Sequence, residues 1–420
     1  MPKSRLVDPA SAAAPRKRGP HSTLLLLGPA FVAAIAYVDP GNVAANLTAG
    51  ARYGYLLLWV LIVANAIAVL VQYQSAKLGI VTGLSLPEIL GQRLKTGPRR
   101  AYWVQAELVA AATDIAEVLG GAIALHLLFG LPLLAGGAIV GVASMALLSI
   151  QSRRSQRSFE AVIITLLAVI VVGFVSGLLF SGVDAAQAVA GIIPRFEGTD
   201  SVLLATSMLG ATVMPHAIYL HSALARDRHG ASHDPSRIRG LLAATRWDVG
   251  GALFVAGAVN IAMLLLAASA LAGVDGTDTI EGAHAAVVAT LGPVIGVVFA
   301  VGLLASGLAS TSVGTYAGST IMGGLLKLRV PLLLRRAITL IPALIVLGIG
   351  FDPTRALVLS QVVLSFGIPF ALIPLVWLAS SRRVMGEFAN APWLRFAGWI
   401  SAGLITVLNV LLIVLVVGGS

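Results

Sequence analysis

Four consecutive residues, Asp39, Pro40, Gly41 and Asn42, interrupt the first long apolar stretch of the chain. A carboxylate in hydrocarbon is costly, Pro removes a backbone donor and clashes with the preceding turn, and Gly tolerates the irregular torsions that follow. The helix is expected to unwind there. Freed backbone groups at membrane depth persist only around a protein-lined or watery cavity, so the interruption marks a site. A second interruption lies in the sixth apolar stretch, where Gly210 and Pro215 bracket Ala211, Thr212, Val213 and Met214, and His216 follows. Asp39 supplies negative charge, Asn42 an amide oxygen and Met214 a polarizable thioether, and the unwound half-helix ends add carbonyls such as those of Ala36 and Ala211. Together these would hold a cation. Oxygens alone suit Mg²⁺ or Ca²⁺, whereas a thioether favours softer transition metals.

Three more acids lie in the third stretch. Glu107, Asp114 and Glu117 fall within roughly 80° of arc at about 100° per residue, so they form one stripe. Intramembrane acids in a row read as a proton relay, with a structural ion-pair face as the alternative. Arg335 and Arg336, at the start of the ninth stretch, are the candidate counter-charges. His216 and His221 lie roughly 140° apart around a helix and are poor partners for one metal. His216 reads as a group that tunes Asp39 or the proton, and His221 as a lining residue.

The elements that must position these groups are helices in a bilayer. Of 420 residues, 58% are hydrophobic and only 11% charged, and the mean hydropathy is +0.93. These values exclude a soluble domain and predict an all-α membrane protein. Eleven spans are expected at about 25–49, 54–77, 101–128, 132–150, 159–181, 201–225, 247–272, 284–308, 331–350, 355–379 and 394–418. The small-residue stretch 307–326 either extends the eighth span or forms a separate helix. No Cys is present, which excludes disulfides and thiolate ligands.

All Lys and Arg residues except Arg52, Arg195 and Arg355 then fall on one side of the membrane. The net charge of +10 therefore reflects topology rather than nucleic-acid binding, with the N-terminus cytoplasmic and the C-terminus outside the plasma (inner) membrane. Residues 1–20 read as a disordered cytoplasmic tail and 21–420 as one transporter domain. If repeat one spans about 25–181 and repeat two about 201–379, with the eleventh helix at about 394–418 outside both, the two broken spans occupy equivalent positions in inverted repeats. Paired breaks of that kind point to a midplane substrate site.

The motifs "DPGN" in the first span and "MPH" in the sixth resemble those of the Nramp family of proton-coupled divalent-metal transporters, and the likeness covers essentially the whole chain. The resemblance implies a LeuT-type fold with two inverted five-helix repeats and broken helices 1 and 6. It implies Asp39, Asn42 and Met214 as metal ligands, with the carbonyls of Ala36 and Ala211 added in different conformations. Gln361, in "LSQVVLSFGIPFALIP", is implied to join the site when it closes to the outside. The implied activity is secondary active import of Mn²⁺, and also of Fe²⁺, Cd²⁺ and Co²⁺, coupled to H⁺ by alternating access. The proton path runs through Asp114 and Glu117 toward Arg335 and Arg336. No prosthetic group and no obligatory protein partner are implied; metal, protons and lipid are the partners. A related Mg²⁺ branch lacks the methionine, so Met214 argues against it.

Rival readings fit less well. An amino-acid site needs exposed amides for the substrate carboxylate, which Asp39 would repel. A membrane protease would need an HExxH or GxGD motif, and a channel a repeated selectivity ring; neither is visible.

Overall fold

The computed structural model describes residues 28–418 apart from 154–155, 231, 233, 278 and 329. The expected tail at 1–20 and the basic residues Arg154 and Arg329 lie outside the described residues. The first span is broken into α1 (Pro29–Ala34), a 3-10 turn (Ile35–Val38) and α2 (Pro40–Tyr53). It is followed by α3 (Leu58–Thr82), the short α4 (Leu86–Arg93), α5 (Thr96–Phe129), α6 (Leu133–Arg153) and α7 (Gln156–Val175). After the short α8 (Ala185–Ala190), the sixth span is split into α9 (Gly198–Thr212) and α10 (Pro215–His229). The chain continues through α11 (Pro235–Ala270), α12 (Ile280–Leu291), α13 (Pro293–Leu326), α14 (Leu332–Gly348) and α15 (Pro353–Ala379). It ends in the one-turn α16 (Arg382–Met385) and in α17 (Pro392–Gly418).

Among the described residues, seven helices and the split sixth span, Gly198–His229 taken as one, are long and apolar enough to cross a membrane. The other three expected spans depart from that pattern. The first is interrupted. In the fourth, the described apolar stretch is Leu133–Ser149. The ninth, α14, has 17 residues, about 26 Å of helix against a hydrocarbon core of about 30 Å.

Two boundaries differ from the sequence reading. The seventh span begins at Pro235 rather than near 247, because Asp234 caps the helix with a bond to the Ser236 amide and Pro235 occupies its first turn. The eighth span is not 284–308. Gly292, at φ 94°, and Pro293 end α12 and start α13, which runs through the whole small-residue stretch to Leu326. The stretch 307–326 therefore extends the eighth span.

Small residues in α13 let it pack closely along α5. A methyl on Gly307 would press on the backbone of Gly121 and Glu117, and one on Gly314 would stand 2.9 Å from both carboxylate oxygens of Glu117. A methyl on Gly318 would collide with the Arg335 guanidinium. The glycines thus leave room for charged side chains that α5 and α14 bring into the core. The broken spans sit at the centre, with α11 packed on α2 and α3, α10 on α3, and α15 on α9 and α5.

Candidate metal site

The two breaks are built alike. Asp39 is extended (φ −71°, ψ 169°) before Pro40, and Met214 (φ −69°, ψ 124°) before Pro215; both prolines open the second half-helix. A residue before Pro is pushed out of the α region, and Pro suits a first helical turn because its missing N–H is an orphan there anyway. Local sterics therefore place Asp39 and Met214 at matching corners of two unwound segments.

Asp39 caps α2. Its Oδ1 accepts from the Asn42 backbone N–H at 2.8 Å and from Asn42 Nδ2 at 2.7 Å. Asn42 Nδ2 also donates to the Ala211 carbonyl at 2.9 Å, joining one break to the other. Gln361 comes from α15: its side chain packs against Gly41 and its carbonyl against Gly210. Gly41 and Gly210 are needed for these approaches, since any β-carbon there would overlap Gln361.

Asp39, Asn42, Ala211, Met214 and Gln361 have no solvent exposure, and Ala36, on the 3-10 turn, has 1%. Three acceptor atoms in this group lack any hydrogen-bond partner: Asp39 Oδ2, Asn42 Oδ1 and Gln361 Oε1. Buried polar atoms are almost always paired, so three orphaned acceptors, with Met214 at the second break, form a donor set suited to a cation. Among the described residues no cluster of three His, Asp or Glu side chains is placed to hold a metal. The candidate set carries one negative charge only.

The nearby carbonyls are held by neighbours that sequence reasoning passed over. Ser306 Oγ donates to Val38 O at 2.6 Å, and Asn260 Nδ2 to Tyr37 O at 2.7 Å. Asn46 Nδ2 in turn donates to Asn260 Oδ1 at 2.9 Å. Their signal was present: Asn46 lies one turn after Asn42 on the same face, and an amide in a membrane helix needs a reason.

Below the breaks, Gln72 on α3 donates to the Tyr37 hydroxyl at 2.5 Å and its Oε1 meets His221 Nδ1 at 2.7 Å. This places His221 against α3, on a different side from the acids of α5. His216 meets the Thr113 hydroxyl of α5 at 3.4 Å, while its Nε2 has no partner. Above the breaks, a cavity of about 440 Å³ is lined by Thr48, Arg52, Asp200, Asp352 and Arg355, among others. Thr48 and Val358 of that lining stand on the same helices as Asn42 and Gln361, one to two turns away.

The acidic stripe of α5 meets the cations expected for it. Arg335 donates to Glu107 through two bonds, at 2.7 and 3.3 Å. Arg336, fully buried, donates to Ser144 at 2.9 Å and reaches Asp114 at 3.5 Å. These arginines are thus core residues of α14 rather than loop charges. Glu117, one turn beyond Asp114, keeps Oε2 unpartnered, as does the Thr311 hydroxyl of α13. Next along α5, Gly120 packs on the Pro40 ring, which brings the stripe up to the first break.

That approach gives a direct expectation. Gly120→Ala forces a methyl into Pro40 and should lower stability by about 1–3 kcal/mol, the usual cost of overpacking. Gly97→Ala, at the open start of the same helix with nothing within 4 Å, should leave the thermal midpoint unchanged or raise it. Equal midpoints for the two variants would remove the close contact between α5 and the break.

The chain is similar to known proteins over nearly its whole length. Residues 30–415 match the model of the family described as natural resistance-associated macrophage protein-like. The chain is 61% identical over 394 residues to the divalent metal cation transporter MntH of Mycobacterium tuberculosis, covering 94% of this chain and 92% of that one. It is 46% identical over 416 residues to MntH of Bacillus subtilis, covering 98% and 97%. A crystal structure of an Eremococcus coleocola manganese transporter mutant superposes with a TM-score of 0.85 at 31% identity, covering 96% of this chain and 90% of that one. The structure of MhsT in complex with L-phenylalanine is similar in fold alone, with a TM-score of 0.64 at 15% identity over 91% of this chain and 98% of that one.

Proposed function

Since the chain belongs to the Nramp family, as a multi-pass transporter of divalent metal cations with a LeuT-type fold, we propose that it imports Mn²⁺, with Fe²⁺, Cd²⁺ and Co²⁺ as further cargo, coupled to H⁺ by alternating access. The observation that carries this reading is the group of orphaned acceptors, Asp39 Oδ2, Asn42 Oδ1 and Gln361 Oε1, with Met214 at the second of the paired helix breaks. A dication there is met by one carboxylate, amide oxygens, a thioether and, as the half-helices move, the carbonyls of Ala36 and Ala211. One negative charge against two positive ones binds the ion firmly enough to select it and loosely enough to release it.

The same reading assigns the path. The cavity lined by Asp200 and Asp352 is the outer entrance, and the Tyr37, Gln72 and His221 layer closes the inner side. The N-terminus is cytoplasmic and the C-terminus lies outside the plasma membrane, because the basic loops cluster on one face. Protons leave the site by way of His216, Glu117 and Asp114 toward Arg336, Arg335 and Glu107. The mirrored breaks support two inverted repeats, about 25–181 and 201–379, with α17 outside them.

Vesicles reconstituted with the protein and loaded with a metal-sensing dye test the proposal. Saturable Mn²⁺ uptake that acidifies the lumen is expected. Flux that rises linearly with Mn²⁺ concentration, or metal uptake without proton movement, overturns it.

Selectivity depends on the thioether. Met214→Ala should retain Mn²⁺ uptake within about tenfold, because the oxygens remain, while Cd²⁺ uptake falls most and Ca²⁺ becomes an effective competitor. If Ca²⁺ competes no better in the variant than in the parent, the sulfur is packing and not a ligand.

A further inference from the structure

We propose that the protein carries a binding site for the phosphate headgroup of an anionic phospholipid, in the groove between α3, α11 and the start of α17. This groove of about 800 Å³ lies on the face that bears the basic loops, and none of its lining residues is among the candidate metal ligands. Its polar lining is Tyr73, Lys77, Arg239, Arg246 and Glu387, with the indole of Trp393 at the rim. Three cations therefore stand against one carboxylate, and Arg239 already takes that carboxylate, at 2.8 Å from Glu387.

The other two cations have no acid. Lys77 is 6% exposed, yet its ammonium is held by a neutral group, Asn390 Oδ1 at 3.0 Å, which is itself fixed by a bond from Asn390 Nδ2 to Gln74 at 2.7 Å. Arg246 lies over the Tyr73 ring, 5.5 Å from its centroid, with Nε 3.3 Å from the hydroxyl. Neither forms an ion pair among the described residues. A buried ammonium without a counter-charge is costly, and an ordered guanidinium aimed into the same groove doubles the demand for an anion.

The anion is identified by where the groove opens. Beyond Tyr73 its wall continues along α3 through the half-buried Leu70 and Val69 to the exposed Ala66, all apolar, while Trp393 on its lining, Phe396 one turn further along α17 and Trp247 beside Arg246 are exposed. Exposed tryptophans on a membrane protein mark headgroup depth. A ligand there meets cations at one end and hydrocarbon along its length. Basic pockets between membrane helices with that layout suit anionic lipid headgroups; free phosphate would leave the apolar wall bare.

Native mass spectrometry of the full-length protein in detergent, with phosphatidylglycerol and phosphatidylcholine supplied in equal amounts, tests the site. One phosphatidylglycerol should be retained in preference to phosphatidylcholine. Arg246→Gln should weaken that retention about fivefold, the effect of one cation near a headgroup. Arg383→Gln, a basic residue on the same face outside the groove, should not. Lys77→Gln should act as Arg246→Gln does; if it fails to fold, the exposed Arg246 position decides alone. Equal retention of the two lipids, equal loss in Arg383→Gln, or displacement of phosphatidylglycerol by excess inorganic phosphate would each overturn the assignment.

Discussion

Asp39→Asn should reduce Mn²⁺ binding and uptake by about 10²–10³-fold while leaving the protein folded. The magnitude follows from the surroundings. Asp39 is completely buried, its Oδ1 is already committed to two bonds from Asn42, and Oδ2 is left with no partner. A dication brought here from water meets a single carboxylate, and removing one partner of a buried charge pair costs about 3–5 kcal/mol because the other charge stays buried without compensation. Asn keeps the capping oxygen toward the Asn42 amide, so α2 should still start at Pro40 and the fold should survive. Calorimetric titration with Mn²⁺, paired with dye-reported uptake in vesicles, checks both halves. Wild-type affinity in a folded Asp39→Asn protein would remove Asp39 from the site.

How far the sequence leads depends on what kind of signal a residue leaves. The two breaks were legible because Pro forces its own geometry whatever surrounds it, and the structure unwinds the chain at Asp39 and at Val213–Met214. The stripe of Glu107, Asp114 and Glu117 was legible from helical periodicity, and so were Arg335 and Arg336 as its counter-charges. Counting positive charge by loops told less about those two arginines, which enter the core against Ser144, Asp114 and Glu107. The end of α13 was ambiguous because Gly, Ser and Thr give a weak apolar signal. Only the contacts of Gly307, Gly314 and Gly318 with α5 and α14 explain why the helix continues. Of the amides that tie the breaks to other helices, Asn46 shares a helix face with Asn42, whereas Asn260 and Gln72 left no periodic pattern, since each serves a partner far away in the chain. Gln361 came from family resemblance alone. Its place between the breaks depends on Gly41 and Gly210 together, and no single stretch of sequence contains that relation.

The sharpest separation of proton from metal is expected at Asp114. Asp114→Asn should keep Mn²⁺ affinity within about fivefold, yet lower H⁺ influx per Mn²⁺ by about 10²-fold, the lower end of what a positioned proton-transfer group contributes. Asp114 stands one turn farther from the break than Glu117 and two from Gly120, which touches Pro40, so it has no direct route to the metal. Its contact with Arg336 is long, at 3.5 Å, while Arg336 has a firmer bond to Ser144 at 2.9 Å. Arg336 is thus held in place by Ser144 as well as by Asp114. Asn preserves the shape and cannot carry the proton. The substitution leaves Arg336 without a full counter-charge, so some loss of stability is expected as well; Arg336→Gln in the same background should restore the thermal midpoint but not the proton flux. The pH dependence of uptake should flatten in both variants. A variant that loses Mn²⁺ affinity while moving the same number of protons per metal would place Asp114 at the metal and end the relay.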